Sequence, residues 1–149
     1  MEETTRHFDD LDRAIEGTQS LFEEWVNAPS AGDLDEETLH HAKLVLHEWL
    51  ANLAQHAEFA GRAPDVRVNV RLRQEELQCA VTDNSSGFEL EAALNEQNTD
   101  CEPFPERMMG LRIIDACTEE LSYVHVTETQ HRLEFSISST HSPWLNNLF

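Results

Sequence analysis

Lysine is almost absent from this sequence. Lys43 is the only one, and every other cationic residue is an arginine. Against 10 Lys and Arg stand 29 Asp and Glu, which leaves 149 residues with a net charge of −19. Phosphate backbones and anionic lipid are bound by clustered cations, so the balance argues against nucleic acid or a membrane surface as a direct partner. No apolar run approaches the roughly 20 residues that a membrane helix needs. The opening MEETTRHFDD is acidic and polar and does not read as a signal peptide. Cysteine is scarce: Cys79, Cys101 and Cys117 are odd in number, far apart and without a C-x-x-C pair. That pattern predicts structural thiols in a reduced cytoplasmic protein, not a disulfide scaffold or a zinc site. His40, His41 and His47 show no H-x-x-x-H pair.

What is present suffices for one domain with a real core. The hydrophobic content is 40%, and the length lies in the single-domain range. The most informative stretch is Leu44 to Ala57, LVLHEWLANLAQHA, which reads as one helix. Leu39, Ala42, Leu46, Trp49, Leu50, Leu53 and Ala57 form its apolar stripe. Glu48, Asn52 and His56 follow each other at a spacing of four, so they form a slanted row beside that stripe. An Asn oxygen suits a hard cation such as Mg²⁺, and a neighbouring Glu suits a general base. The same row would also serve as an ordinary solvated helix face.

In chain order, residues 1–7 are predicted as a short polar edge strand. A helix follows from Phe8 to about Val26, with Asp9 or Asp10 near its positive end. Residues 27–32 break it, and Asp33 or Asp35 caps the next helix, from about Glu36 to Phe59. Gly61 stands where a helix end prefers glycine, and Pro64 prevents continuation. Val66 to Arg73 alternates with period two, valines and Leu72 inward, Arg67, Asn69, Arg71 and Arg73 outward. Leu77 to Thr82 returns as the second strand of an antiparallel hairpin. The arginine row reads best as a solvated sheet face. A polar turn, Asp83 to Phe88, comes next, then a short helix over 89–94 and a lid-like loop over 95–105. Glu106 to Glu119 reads as a helix with Gly110 in its first turns. Strands over 121–127 and 132–138 close the domain, and residues 139–149 form a tail.

Three boxes in this order resemble a known family, the small bacterial anti-sigma-factor serine/threonine kinases of the GHKL ATPase superfamily. That superfamily also contains histidine-kinase catalytic domains and gyrase B. The boxes are E-x-x-x-N-x-x-x-H (Glu48, Asn52, His56), Asp83-Asn-Ser-Ser-Gly87-Phe88, and Met108-Met-Gly110-Leu111 preceded by Arg107. The resemblance covers roughly residues 8–138. It implies an α/β (α+β) two-layer sandwich, with helices on one face of a mixed, mostly antiparallel sheet, the Bergerat ATP-binding fold, in a single domain spanning 1–138. It implies ATP and Mg²⁺ as bound groups. Glu48 would be the catalytic base, Asn52 the Mg²⁺ ligand, and Asp83 the acceptor for the adenine amino group. His56, Gly87, Arg107, Gly110 and Leu111 would complete the nucleotide contacts. The implied partners are an antagonist protein that is phosphorylated and a sigma factor or similar regulator, with the homodimer a frequent family state.

The chain departs from the family pattern at Ser85 and Met108, where glycines are usual, and at Gln130-His131-Arg132, where a Gly-Thr is usual. These departures leave a second expectation open, the same fold acting as a protein-interaction switch without turnover. The charge imbalance itself suits a salty cell interior. Raising KCl from about 0.1 to about 1 M shortens the screening length from about 10 to about 3 Å. The urea unfolding midpoint is therefore expected to rise over that range, and a flat or falling midpoint would show that self-repulsion does not limit stability.

Overall fold

The computed structural model describes residues 2–26, 36–73, 76–87 and 106–138. Along the chain these form β1 (Glu2–Phe8), α1 (Leu11–Val26), α2 (Glu36–His56), β2 (Val66–Arg73), β3 (Glu76–Asp83), α3 (Glu106–Cys117), β4 (Glu120–Thr127) and β5 (Gln130–Ser138). The strands build one sheet in the order β1-β2-β3-β5-β4. Each neighbouring pair is antiparallel, so among the described strands the sheet is antiparallel throughout. The expected helix over 89–94, the loop over 95–105, the break and caps over 27–35 and the tail over 139–149 lie outside the described residues.

Several boundaries differ from the sequence expectation by one to three residues, α3 ending at Cys117 and β5 starting at Gln130 among them, and the two largest shifts have identifiable causes. Phe8 ends β1, opposite Val66, instead of opening α1. The helix starts at Leu11 because Asp10 caps it: the Arg13 N–H donates to Asp10 Oδ1 at 3.1 Å. Helix α2 stops at His56, three residues short of Phe59. The Glu58 carbonyl accepts the Ser86 N–H at 2.7 Å, which draws the chain toward the sheet. Ala60 and Gly61 then adopt φ of 52° and 80°, in a turn closed by Arg62 N–H to Phe59 O at 3.0 Å. Gly61 thus serves this turn and not the helix end.

One face of the sheet is covered. Val66, Val68, Val70 and Leu72 point inward from β2, Leu77, Cys79 and Val81 from β3, and Leu133, Phe135 and Ile137 from β5. Helix α2 supplies the largest share of the cover, with Ala42, Val45, Leu46, Trp49 and Leu50 fully buried and Leu53 nearly so. It packs against α1, α3, β3 and β5. Helix α1 adds Ala14, Leu21 and Phe22, and α3 adds Ile114, Ala116 and Cys117. The Cys79 and Cys117 thiols are free and buried. Burial pushes Cys79 far up and Cys117 up to about 11, so both behave as core residues at neutral pH.

The opposite sheet face meets solvent. Arg71 pairs with Glu3 at 3.3 Å, and Asn69 donates to Glu3 and Thr5 at 3.0 and 2.8 Å. The Asn69 hydrogen bond, helped by Arg71, holds the Glu3 carboxyl below its usual range. Arg132 pairs with Glu134 at 2.8 Å. The Glu3 and Thr5 contacts tie β1 onto the sheet edge.

Leu50→Ala is expected to lower unfolding free energy by about 2–5 kcal/mol, the usual cost of a buried Leu truncation. Urea unfolding reads this directly. A loss under about 1 kcal/mol would mean that α2 does not seal the sheet at this point.

Candidate functional site

The covered face ends in a polar corner. Asp83 is the last residue of β3, opposite Val66 on β2 and His131 on β5. The inward alternation of Leu77, Cys79 and Val81 carries on to Asp83, so its carboxylate points into the core side and is 1% exposed. Asp83 Oδ1 accepts the Ser85 N–H at 2.8 Å. Asp83 Oδ2 is buried without a hydrogen-bond partner among the described residues. A buried acceptor left unpaired costs about 1–3 kcal/mol, more when charged, so the atom is poised for a donor from outside the chain.

The turn after Asp83 is held from several sides. Asn84 Oδ1 accepts the Asp65 N–H at 2.8 Å, and Asn84 Nδ2 donates to the Ala63 carbonyl at 2.9 Å. Arg62 donates from Nε and Nη2 to the Asn84 carbonyl at 3.1 and 2.9 Å. Ser85 Oγ accepts the Gly87 N–H at 3.2 Å. Gly87 has φ of 99°, and a Cβ there would lie 2.9 Å from His131 Cε1 and 3.0 Å from His131 Nε2. Ser85 lies outside the left-handed region; Ala60 is the one described non-glycine within it. A side chain at position 85 therefore costs nothing in backbone strain, and its hydroxyl closes the turn.

Helix α2, which packs on β3 and β5, carries the polar row along the margin of the core. Asn52 is 9% exposed, and its Oδ1 is buried without a partner among the described residues. Glu48, one turn earlier, is half-buried, and His56 is exposed in the last turn. The row does skirt the core, as its spacing suggests, with Asn52 deepest. Arg107, Met108, Gly110 and Leu111 lie on the backbone of α3, and their side-chain surroundings fall outside the described residues.

Sequence reasoning missed a ring cluster on β4 and β5. His131 is 3% exposed, and its Nδ1 lies 2.7 Å from His125 Nδ1. Tyr123 stacks on His131 with centroids 5.9 Å apart and meets Trp49 edge-on at 5.5 Å. The signal for His131 was available: the inward series Ile137, Phe135, Leu133 leads to it at the next step of two. Asn84 gave no signal beyond being a turn residue.

A family model described as a histidine kinase-like ATPase domain matches residues 9–137. The chain belongs to that family. Histidine kinase-like ATPase domains bind ATP, generally with Mg²⁺. Among solved structures, the catalytic domain of histidine kinase ThkA is similar in two nucleotide-free crystal forms. One aligns at 18% identity over 95% of this chain and 100% of that one, the other at 17% over 93% and 99%, both with a TM-score of 0.48. A comparison with curated proteins finds no significant match. No described helix is long and apolar enough to cross a membrane.

The residues present fit such a ligand. Asp83 Oδ2 offers an acceptor to an amino group, Asn52 Oδ1 offers a neutral oxygen to a hard cation, and Gly87 keeps the turn free of a Cβ. Gly87→Ala is expected to cost about 1–3 kcal/mol, from the left-handed backbone and the clash with His131. Urea unfolding of the variant checks this, and an unchanged midpoint would mean that the turn is not held as described.

Proposed function

We propose that the chain is an ATP-dependent protein kinase of the anti-sigma type, which transfers the terminal phosphoryl group of ATP to a serine or threonine of an antagonist protein. In the alternative state it would hold a sigma factor or similar regulator. The observation that carries this reading is that two buried acceptors, Asp83 Oδ2 and Asn52 Oδ1, have no partner among the described residues, with a half-buried Glu48 one turn from Asn52. A nucleotide-free interaction domain has no use for either atom.

Asp83 accepts the adenine amino hydrogen. A carbonyl at that position of the base, as in guanine, would set two acceptors against each other and leave both unpaired. Asn52 Oδ1 would hold Mg²⁺, which would neutralise charge on the phosphates. Glu48 takes the proton from the attacking hydroxyl as its oxygen bonds to the terminal phosphorus and the bond to ADP breaks. Serine or threonine as acceptor follows from the family likeness of the three boxes and from the suitability of a carboxylate base for an alcohol.

A second reading, a switch without turnover, draws on one observation: the His131 imidazole fills the space beside Gly87. Calorimetric titration of ATP, with and without Mg²⁺, separates the two. The kinase reading expects micromolar, Mg²⁺-dependent binding, lost in Asn52→Ala. It expects Glu48→Gln to abolish transfer while ATP affinity stays within about threefold. Absence of binding at millimolar ATP would leave the switch. Full transfer by Glu48→Gln would remove Glu48 from its role.

A further inference from the structure

Asp83 and His131 are directly opposed in the β3–β5 ladder. Such pairs project from the same sheet face with Cβ atoms about 4.5–5.5 Å apart. Both side chains are almost wholly buried, at 1% and 3% exposure, and each ends in an atom without a partner among the described residues, Asp83 Oδ2 and His131 Nε2. The two do not satisfy each other. The nucleotide reading above uses Asp83 alone and leaves the imidazole nitrogen unexplained.

The other face of the ring says what that nitrogen carries. At 2.7 Å, one of the two Nδ1 atoms of His125 and His131 must donate and the other accept. If His125 donates, His131 accepts at Nδ1 and bears its hydrogen on Nε2. The carboxylate across the ladder favours this arrangement, since it attracts an N–H on the buried side and repels a lone pair there. The corner then presents an acceptor and a donor side by side.

Resting on the nucleotide reading of the site, we infer that His131 is a second base-reading residue, its Nε2–H donating to the adenine ring nitrogen that flanks the amino group bound by Asp83. Adenine offers an amino donor beside a ring acceptor, N1 on one edge and N7 on the other. Hypoxanthine replaces the amino group with a carbonyl, so it opposes Asp83. His131 thus occupies the place in the final strand pair where the sequence lacks the usual Gly-Thr, and His125 sets its tautomer. Gly87 is needed because a Cβ would occupy the face of the imidazole that the base approaches. Both reading atoms are covered by protein, so they read the base in a site closed to water.

Calorimetric titration of the full chain with ATP, 1-deaza-ATP, 7-deaza-ATP and inosine triphosphate, all with Mg²⁺, tests this. One deaza analogue should bind about tenfold more weakly than ATP, the range of one hydrogen bond lost at a buried site. His131→Phe should weaken ATP by about tenfold and bind that same analogue as well as ATP, a loss of discrimination that a merely structural role would not produce. Should the variant fail to fold, the analogue series on the wild-type protein decides. Deaza analogues that both bind as tightly as ATP would overturn the role of His131, while weak inosine triphosphate binding would leave Asp83 and the nucleotide reading intact. Equal or tighter ATP binding by His131→Phe would make the imidazole a plug and overturn the inference as well. Failure of wild-type protein to bind any of the four would sink both readings together.

Discussion

A sheet covered on one face only must be sealed by a helix that crosses it, and in this domain α2 carries that burden. Leu46, Trp49, Leu50 and Leu53 remove their side chains from water almost completely. At roughly 25 cal/mol per Å² of apolar surface, burials of this kind dominate folding. The seal also fixes orientation. Once the apolar stripe is pressed onto β3 and β5, Glu48 and Asn52 have no freedom to rotate away from the margin of the core. Trp49 reaches Tyr123 on β4, so the same contact that closes the core positions the ring cluster beside His131. The polar corner is a by-product of packing geometry before it is a site.

The corner is expensive to keep. A carboxylate at 1% exposure with one oxygen unpaired among the described residues costs stability that an apolar residue would not. The surrounding hydrogen bonds offset part of the cost by fixing the turn: Asn84 joins 63, 65 and Arg62, and Ser86 reaches back to Glu58. These bonds run between the loop after α2 and the turn after β3. They therefore couple the end of the site helix to the end of the site strand. Movement of the turn is felt at both.

Elements whose signal is local were legible in the sequence. Period-two alternation located Val66 to Arg73 to the residue, and the stripe on α2 named most of its buried side chains, omitting Val45 and including the half-buried Ala57 beyond the helix end. The end of α2 was not legible, because it is set by the Glu58 carbonyl bonding to Ser86, about 30 positions away. His131 was missed because the strand was expected to begin at 132, although the inward series from Ile137 points to it. A histidine near a strand end faces in or out according to register, and a one-residue slip reverses the face. The ladder with β3 confirms the facing that the series gives. Asn84 looked like any turn residue because its three partners come from another loop.

The departures from the family pattern can now be weighed by what each position demands. A glycine is irreplaceable where φ is positive or where no Cβ fits. Gly87 meets both conditions and is retained; position 85 meets neither backbone condition and carries serine, whose hydroxyl closes the turn. A domain drifting away from nucleotide binding would shed its costliest feature first, and that feature is the unpaired buried carboxylate of Asp83. It stands, while the substitution at 85 falls where side chains are tolerated. The proposed site thus keeps the two groups that the ligand reading needs, Asp83 and Gly87, and His131 stands opposite Asp83 within the Gln130-His131-Arg132 stretch where the family resemblance expects a Gly-Thr.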